Sequence, residues 1–327
     1  MEPTEQVRDG AQSNSTLATI ESPVPSIEQM FQVLSADLSA RRPESANAIL
    51  CPLCMQAFTS DAISERRISV EHIIPSALGG ALEAITCTEC NNTHGSTLES
   101  HLVRAMQALD SLEGKGAIPA VFHNSGGHVS ANIEWRSDAP TEIKIVGKAS
   151  NPAGVGAIRD SIKEGGTLNF TLTLGFMAEP YYRAILRVAY LAAFAYFGYG
   201  FALSEGASQV RRVLDGDAVP SGVILEAHPE AELPRSALVR LLHSEGTEPF
   251  FMALFQLRSS MTRWLAVLLP GNQGCPWDRL VDLAGSFPNA LLQVNPGDST
   301  PAISVRFSHE PLKKLQAIRI PALPAAG

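Results

Sequence analysis

Residues 51–95 contain three blocks from which the rest of the chain can be interpreted: CPLC at 51–54, SVEHIIPSALGG at 69–80 and TCTECNNTHG at 86–95. Four of the five cysteines lie here as two Cys-x-x-Cys pairs. Two such pairs can present four thiolates to one ion with the tetrahedral geometry of a structural zinc site. The sequence therefore predicts structural Zn²⁺ held by Cys51, Cys54, Cys87 and Cys90.

The spacing between the two pairs indicates that the loop they close has structure of its own. The gap is 32 residues, wider than the spacing of about 15–20 in a compact zinc site of this type. Two disulfides are the alternative for the four cysteines, but disulfides need an oxidising compartment, and no secretory signal is visible. A redox Cys-x-x-Cys would explain one pair and not two matched pairs.

A histidine beside a carboxylate, Glu71-His72, lies inside this loop after a strand-like run at 68–70. A neutral imidazole can take a proton from water near pH 7. Carboxylate and amide oxygens can hold a hard divalent cation. These groups suit metal-assisted hydrolysis of a phosphodiester, with His72 activating water and a Mg²⁺-type ion stabilising the leaving oxygen. Gly79 and Gly80 permit a tight loop with positive φ directly afterwards.

The combination of CPLC, EHIIP at 71–75, LGG at 78–80 and CTECNN at 87–92 resembles the HNH endonucleases of the zinc-stabilised ββα-metal type. The resemblance covers residues 51–95 and implies two strands followed by a helix after the second cysteine pair. It implies that His72 is the general base. It also implies that Glu71 and Asn91 hold the catalytic cation, Mg²⁺ or Mn²⁺.

One element of the family motif has no clear counterpart in this sequence. The middle Asn, which orients the base in many relatives, should precede the second cysteine pair, but residues 81–86 are ALEAIT. Asn92 or a backbone carbonyl is a candidate for this role. His94 is either a further metal ligand or a surface residue on the first helical turn.

The charge of the chain argues against tight nucleic-acid binding by this segment alone. The protein has a formal net charge of −8. Residues 51–110 contain seven carboxylates and three arginines, a formal charge of −4 before any metal binds. Contacts to phosphate need Lys and Arg, so the deficit has to be offset by bound cations or by the rest of the chain.

The remaining sequence divides the chain into three predicted parts: a disordered tail at 1–25, a zinc-stabilised module with flanking helices at 26–115, and an α+β domain of unknown role at 116–327. Ser26 and Gln29 predict a capping box for a helix at 26–41, and apolar spacing predicts another at 96–112. The apolar stretch 180–203 predicts a buried central helix, with a membrane helix as the alternative. Six strands from residue 221 onward predict a mostly antiparallel sheet packed on that helix.

Two further groups of residues could carry function. Four arginines are candidate phosphate contacts, with solvation or ion pairing as the alternative: Arg183, Arg187, Arg211 and Arg212. His123 and His128 flank a predicted turn, where a second metal site is conceivable, although no carboxylate joins them.

We therefore expect an α+β protein with an N-terminal zinc-stabilised ββα-metal (HNH) module, followed by a domain of mixed helices and antiparallel sheet. The expected function is metal-dependent cleavage of nucleic acid, DNA rather than RNA, in the cytoplasm and without a membrane. The C-terminal domain would provide target choice, regulation or homodimerisation. The competing hypothesis is a non-catalytic zinc module that serves as a nucleic-acid- or protein-binding scaffold.

Overall fold

The computed structural model describes residues 25–124, 127–135, 143–147, 152–163, 169–233, 237–242, 248–288, 291–294, 302–309 and 312. The predicted disordered tail lies, except for Pro25, outside the described residues. The architecture is α+β, as predicted: a small unit of hairpins and helices at 51–107 is followed by helices and antiparallel sheets.

The N-terminal part begins with helix α1, Ile27–Arg41, and its predicted capping box is confirmed. Ser26 Oγ accepts from the Gln29 N–H, and the Gln29 side chain accepts from the Ser26 N–H at 2.9 Å. Two antiparallel hairpins follow, β1 with β2 and β3 with β4. The elements are β1 Ala48–Leu50, β2 Ala57–Thr59, α2 Asp61–Ser64, β3 Ile68–His72 and β4 Glu83–Cys87.

The helix after β4 starts earlier than the predicted residue 96. It comprises α3 Thr88–His94, a π-helical turn Gly95–Glu99 and α4 Ser100–Leu112. Cys87 is the N-cap, and its Sγ accepts from the Cys90 N–H. The cysteine pair therefore starts the helix itself, a role that residue-type preferences for helix caps do not predict.

A four-stranded antiparallel sheet with strand order β7-β6-β5-β8 follows, and it has its own small core around Phe122, Ile133 and Ile158. Its elements are β5 Ala117–Asn124, β6 Gly127–Trp135, β7 Ile143–Gly147, α5 Pro152–Lys163 and β8 Asn169–Leu172. The strands predicted around Phe122 and at 129–135 fall within β5 and β6. Of the strand predicted at 142–146, residues 143–146 fall within β7, and residue 142 lies outside the described residues.

The apolar stretch forms helix α6, Ala178–Phe197, and every side chain from Tyr181 to Phe194 is buried. No helix among the described residues is long and apolar enough to cross a membrane. Protein surrounds α6 instead: α4 and α8 pack against it, as do strands of the C-terminal sheet. Two helices follow, α7 Tyr199–Ala202 and α8 Glu205–Asp215.

The predicted six-stranded antiparallel sheet is confirmed, with strand order β10-β11-β12-β9-β14-β13. Its elements are β9 Ile224–Pro229, β10 Ala237–Leu242, β11 Phe250–Arg258, β12 Thr262–Pro270, α9 Trp277–Ser286, β13 Leu291–Val294 and β14 Ile303–His309. Strands β10, β11 and β12 pack against α6.

One hydrophobic core runs from the hairpins through α6 into the C-terminal sheet. It includes Leu38 of α1, Ile85 of β4, Leu102 of α4 and Phe255 of β11. Helix α6 therefore supports the N-terminal hairpins as well as the C-terminal sheet. The division at residue 115 stays a prediction.

Candidate functional site

The four predicted zinc ligands converge in space. Cys51 and Cys54 lie at the β1–β2 hairpin, Cys87 ends β4, and Cys90 lies in the first turn of α3. Their Sγ atoms all lie within 4.8 Å of one another, and no disulfide joins them. This grouping of four thiols, from the first hairpin, the end of β4 and the first turn of α3, is the donor set that a structural zinc ion takes.

The electrostatics of the cluster favour a bound cation. A hydrogen bond from Cys90 lowers the pKa of Cys51 to about 5, whereas burial raises the pKa of Cys54 to about 12. The contact with Cys51 raises the pKa of Cys90 as well. Closely packed thiols cannot all ionise unless a positive charge compensates them, and metal binding is the usual solution.

The predicted base, His72, is the last residue of β3, and its side chain is 47% exposed. Glu83, the first residue of β4, lies directly across the hairpin from it. The His72 Nδ1 atom is 3.7 Å from Glu83 Oε1, an ion-pair distance when the imidazole is protonated. Glu83 was not predicted as a site residue, because the family motif has an Asn, not a carboxylate, in the segment before the second cysteine pair. Glu83 can be assigned a position opposite His72 only when the register of the β3–β4 hairpin is known.

The loop after His72 depends on its two glycines. Gly79 has φ +80°, as predicted for a tight turn. A Cβ on Gly80 would lie 1.7 Å from the Ile74 carbonyl oxygen, so no other residue fits there without moving the backbone. The loop therefore returns the chain to β4 in the register that pairs His72 with Glu83.

Glu71 is buried on the face of β3 opposite to His72, because successive strand residues point to opposite sides. Thr86 Oγ1 donates a 2.8 Å hydrogen bond to Glu71 Oε2. The other carboxylate oxygen, Oε1, forms an ion pair with Arg187 Nη2. Both oxygens of this predicted metal ligand are thus engaged with protein groups.

Asn91, the second predicted cation ligand, lies on the same face of β3 as Glu71. Its Nδ2 donates a 3.0 Å hydrogen bond to Ser69 Oγ, and Ser69 is two residues before Glu71 on the strand. The bond uses the amide nitrogen of Asn91 and leaves the amide oxygen for another partner. The two predicted ligands are therefore oxygen donors on one side of the hairpin.

Arg187 lies on α6 and contacts both β3 and the helical segment that follows β4. Besides Glu71, it contacts Glu99 Oε1 through Nη1 at 2.7 Å and His94 Nδ1 through Nε at 3.1 Å. Its side chain is 0% exposed. Burial lowers the pKa of Arg187 to about 10, so the guanidinium remains charged at neutral pH. Burial also lowers the pKa of His94, which accepts the Arg187 N–H as a neutral ring.

The π-helical turn explains how His94 and Glu99 reach one guanidinium. Residues five apart lie on different faces of an α-helix, which has 3.6 residues per turn. The wider π turn at Gly95–Glu99 brings positions i and i+5 onto one side. Burial raises the pKa of Glu99, and a positive charge on His72 opposes part of that rise.

The four candidate arginines are paired with protein groups, so the alternative interpretation is the one the structure supports. Arg187 and Arg183 are buried, and Arg183 contacts Glu179 and the Val213 carbonyl. Arg211 donates to Tyr190 Oη and the Ala202 carbonyl. Arg212 is exposed and faces Glu205 at 3.6 Å. The prediction that Arg187 contacts phosphate is wrong, because a fully buried guanidinium cannot reach a ligand in solution.

The second metal site conceivable at His123 and His128 has no third ligand among the residues that the structure describes. His123 and His128 pair across the β5–β6 hairpin, with their Nδ1 atoms 2.9 Å apart, and Thr171 Oγ1 contacts His123 Nε2. Within the described part of the chain, only the four cysteines form a group of three or more His, Cys, Asp or Glu ligand atoms close enough to share an ion. His94, the other candidate metal ligand, contacts Arg187 and belongs to no such group among the described residues.

Two strands and a helix joined by a four-cysteine cluster, with an exposed histidine at the strand end, define the class of a cysteine-clamped ββα domain. Comparison with protein families agrees: residues 51–107 match the family model of the HNH endonucleases. The matched family is one of endonucleases, and the match covers only this segment of the chain. No curated protein and no solved structure matches the chain.

Proposed function

We propose that this protein is a metal-dependent endonuclease that hydrolyses phosphodiester bonds in DNA. The observation that carries the proposal is the position of His72. It is exposed at the end of β3, with Glu83 beside it, while Glu71 on the opposite face of the strand is buried. A scaffold would need the zinc clamp and the packed core, but it would not need an imidazole at this place.

His72 would act as the general base. A neutral imidazole can accept a proton from a water molecule as that water attacks phosphorus. A carboxylate near Nδ1 favours the tautomer with its proton on Nδ1 and leaves the Nε2 lone pair for the water proton. The distance of 3.7 Å between Glu83 Oε1 and His72 Nδ1 supports this role for Glu83, which would then take the orienting part that the family motif gives to Asn.

Glu71 and Asn91 would hold the catalytic cation through oxygen. Carboxylate and amide oxygens are the ligands that Mg²⁺ and Mn²⁺ prefer. When bound, such an ion stabilises negative charge on the leaving oxygen, and the products would be a 5′-phosphate and a 3′-hydroxyl. Glu71 could hold the ion only after giving up part of its present bonding.

DNA binding would depend on more than the ββα unit. The formal charge of residues 51–110 is −4, and affinity for DNA comes mainly from cationic contacts to phosphate. Bound metal offsets part of this charge. The C-terminal part would supply target choice, regulation or dimerisation.

A non-catalytic zinc scaffold is the second candidate, and one observation favours it. Both oxygens of Glu71 are engaged, one by Thr86 and one by Arg187. If that ion pair never opens, the unit has no cation site at Glu71 and serves only to present a surface to nucleic acid or protein.

Cleavage of supercoiled plasmid by zinc-loaded protein separates the two candidates. The catalytic ion should be omitted and then added back as Mg²⁺ or Mn²⁺, because strong chelators also remove structural zinc. We expect His72→Ala to lower the rate by about 10²–10⁴-fold, the usual contribution of a general base. His228→Ala, which changes another exposed histidine on β9, should cleave as the wild type does.

A wild-type protein that carries one zinc per chain and cleaves no plasmid with either ion would support the scaffold. Equal cleavage by wild type and His72→Ala would instead remove His72 from the mechanism.

A further inference from the structure

We propose that Arg187 closes the cation site: its guanidinium occupies Glu71, and a divalent cation binds there only when Arg187 releases Glu71 and remains on Glu99 and His94. This inference rests on the proposed function, since it concerns the same cation. The carboxylate that the ββα unit would offer to the ion is the one that the structure pairs with a buried arginine.

The three contacts of Arg187 use three different nitrogens. Nη2 reaches Glu71, Nη1 reaches Glu99 and Nε reaches His94. Because the guanidinium is planar and rigid, the first contact would be lost by a movement of the Glu71 carboxylate, which leaves the other two contacts in place. Arg187 lies on α6, outside residues 51–107, so the group that closes the site comes from the C-terminal part of the chain.

Charge pairing explains why two carboxylates surround one guanidinium. His94 Nδ1 accepts the Arg187 Nε–H and therefore carries no proton, which leaves Glu71, Glu99 and Arg187 as the charged members of the cluster. An unpaired buried charge is strongly destabilising. With Arg187 on Glu99 and the cation on Glu71, both carboxylates remain paired, so the exchange leaves no buried carboxylate uncompensated.

The two carboxylates differ in exposure in the way such an exchange requires. The Glu99 side chain is 21% exposed and that of Glu71 is 3% exposed. Glu99, at the end of the π turn, is therefore the outer partner. With Arg187 on Glu71, a hydrated ion has no access to the inner carboxylate.

Direct binding of Mn²⁺ to zinc-loaded protein, measured by electron paramagnetic resonance of the free ion, tests the proposal without DNA. A site that is closed in about nine of ten molecules has its apparent affinity weakened about tenfold. We expect Arg187→Met to bind Mn²⁺ about tenfold more tightly than the wild type. Adding Glu71→Gln to Arg187→Met should abolish this gain.

Arg263→Met is the matched control, because it removes another buried arginine that pairs with a carboxylate, away from Glu71. It should leave Mn²⁺ affinity unchanged. Arg187→Lys guards against misfolding of the methionine variant: an ammonium keeps the charge but reaches fewer of the three partners, so a smaller gain is expected.

Equal or weaker Mn²⁺ binding by the folded Arg187 variants would overturn the proposal, as would a gain that persists with Glu71→Gln. If Arg187→Met binds Mn²⁺ more tightly through Glu71 but no variant cleaves DNA, the closure stands and the proposed nuclease function fails. If the wild type cleaves DNA and the Arg187 variants gain no affinity, the nuclease stands and the closure fails.

Discussion

Two buried arginines, Arg187 and Arg263, connect the N-terminal part to the C-terminal part of the chain. Arg187 of α6 reaches Glu71 and Glu99, whereas Arg263 of β12 reaches Asp110 and, at 3.3 Å, Glu113. Both side chains are almost inaccessible to solvent. The two arginines are therefore alike in burial, and each forms ion pairs with two carboxylates.

The partners of the two arginines differ. Asp110 lies near the end of α4, where its charge is unfavourable to the helix dipole, and its second oxygen accepts from the Ser260 backbone N–H at 2.8 Å. The positive charge of Arg263 thus compensates the negative charge of Asp110 at the C-terminal end of α4. Arg187 instead holds a carboxylate next to the candidate base. A buried ion pair does not indicate function by itself. The Arg187 pair differs from the Arg263 pair because it includes Glu71, the residue before the candidate base His72.

The largest expected effect comes from losing the zinc, because Glu99 and Asp110 both lie on the helix that starts at the cysteine cluster. Structural zinc sites contribute about 10 kcal/mol or more to folding. We expect Cys87→Ser to lose zinc, to unfold residues 51–107 and to abolish both arginine links, as measured by zinc content and thermal melting followed by circular dichroism.

Cys275→Ser, at the buried cysteine outside the cluster, is the matched control and should change stability by no more than about 1 kcal/mol. If Cys87→Ser lost its zinc but kept its fold, the helix would be held by the core alone, and the two links would not depend on the metal. If it kept its zinc, Cys87 would not be needed to hold the ion.

A smaller effect is expected from Arg263→Met. Removal of one partner of a buried pair costs about 3–5 kcal/mol, because Asp110 is left charged and uncompensated. Urea unfolding should show this loss, while cleavage per folded molecule should equal that of the wild type. A fall in cleavage rate without a fall in stability would mean that the Arg263 cluster also serves the site.

The smallest effect is expected at an exposed pair, Lys144 with Glu134, whose side chains are 64% and 39% exposed. Solvent screens such pairs, so Lys144→Ala should destabilise the protein by no more than about 1 kcal/mol in the same urea experiment. A loss as large as that of Arg263→Met would show that burial does not set the strength of the Arg263 link.

Local patterns in the sequence predicted most of the elements. The capping box of α1, the buried helix at α6 and the six antiparallel strands all follow from residue spacing and turn residues. The start of the helix at Thr88 was missed because its cap is the sulfur of Cys87, and the π turn leaves no mark in the apolar spacing.

The sequence by itself predicted the four-cysteine cluster and the family resemblance, and it put His72 directly after a strand, because these features depend on residues close together in the chain. Only the tertiary structure brought Glu83 beside His72 and Arg187 to Glu71. Arg187 is 88 positions from Glu99 and 93 from His94. A contact over such a separation depends on how α6 packs against the hairpins, and no local pattern of residues encodes that packing.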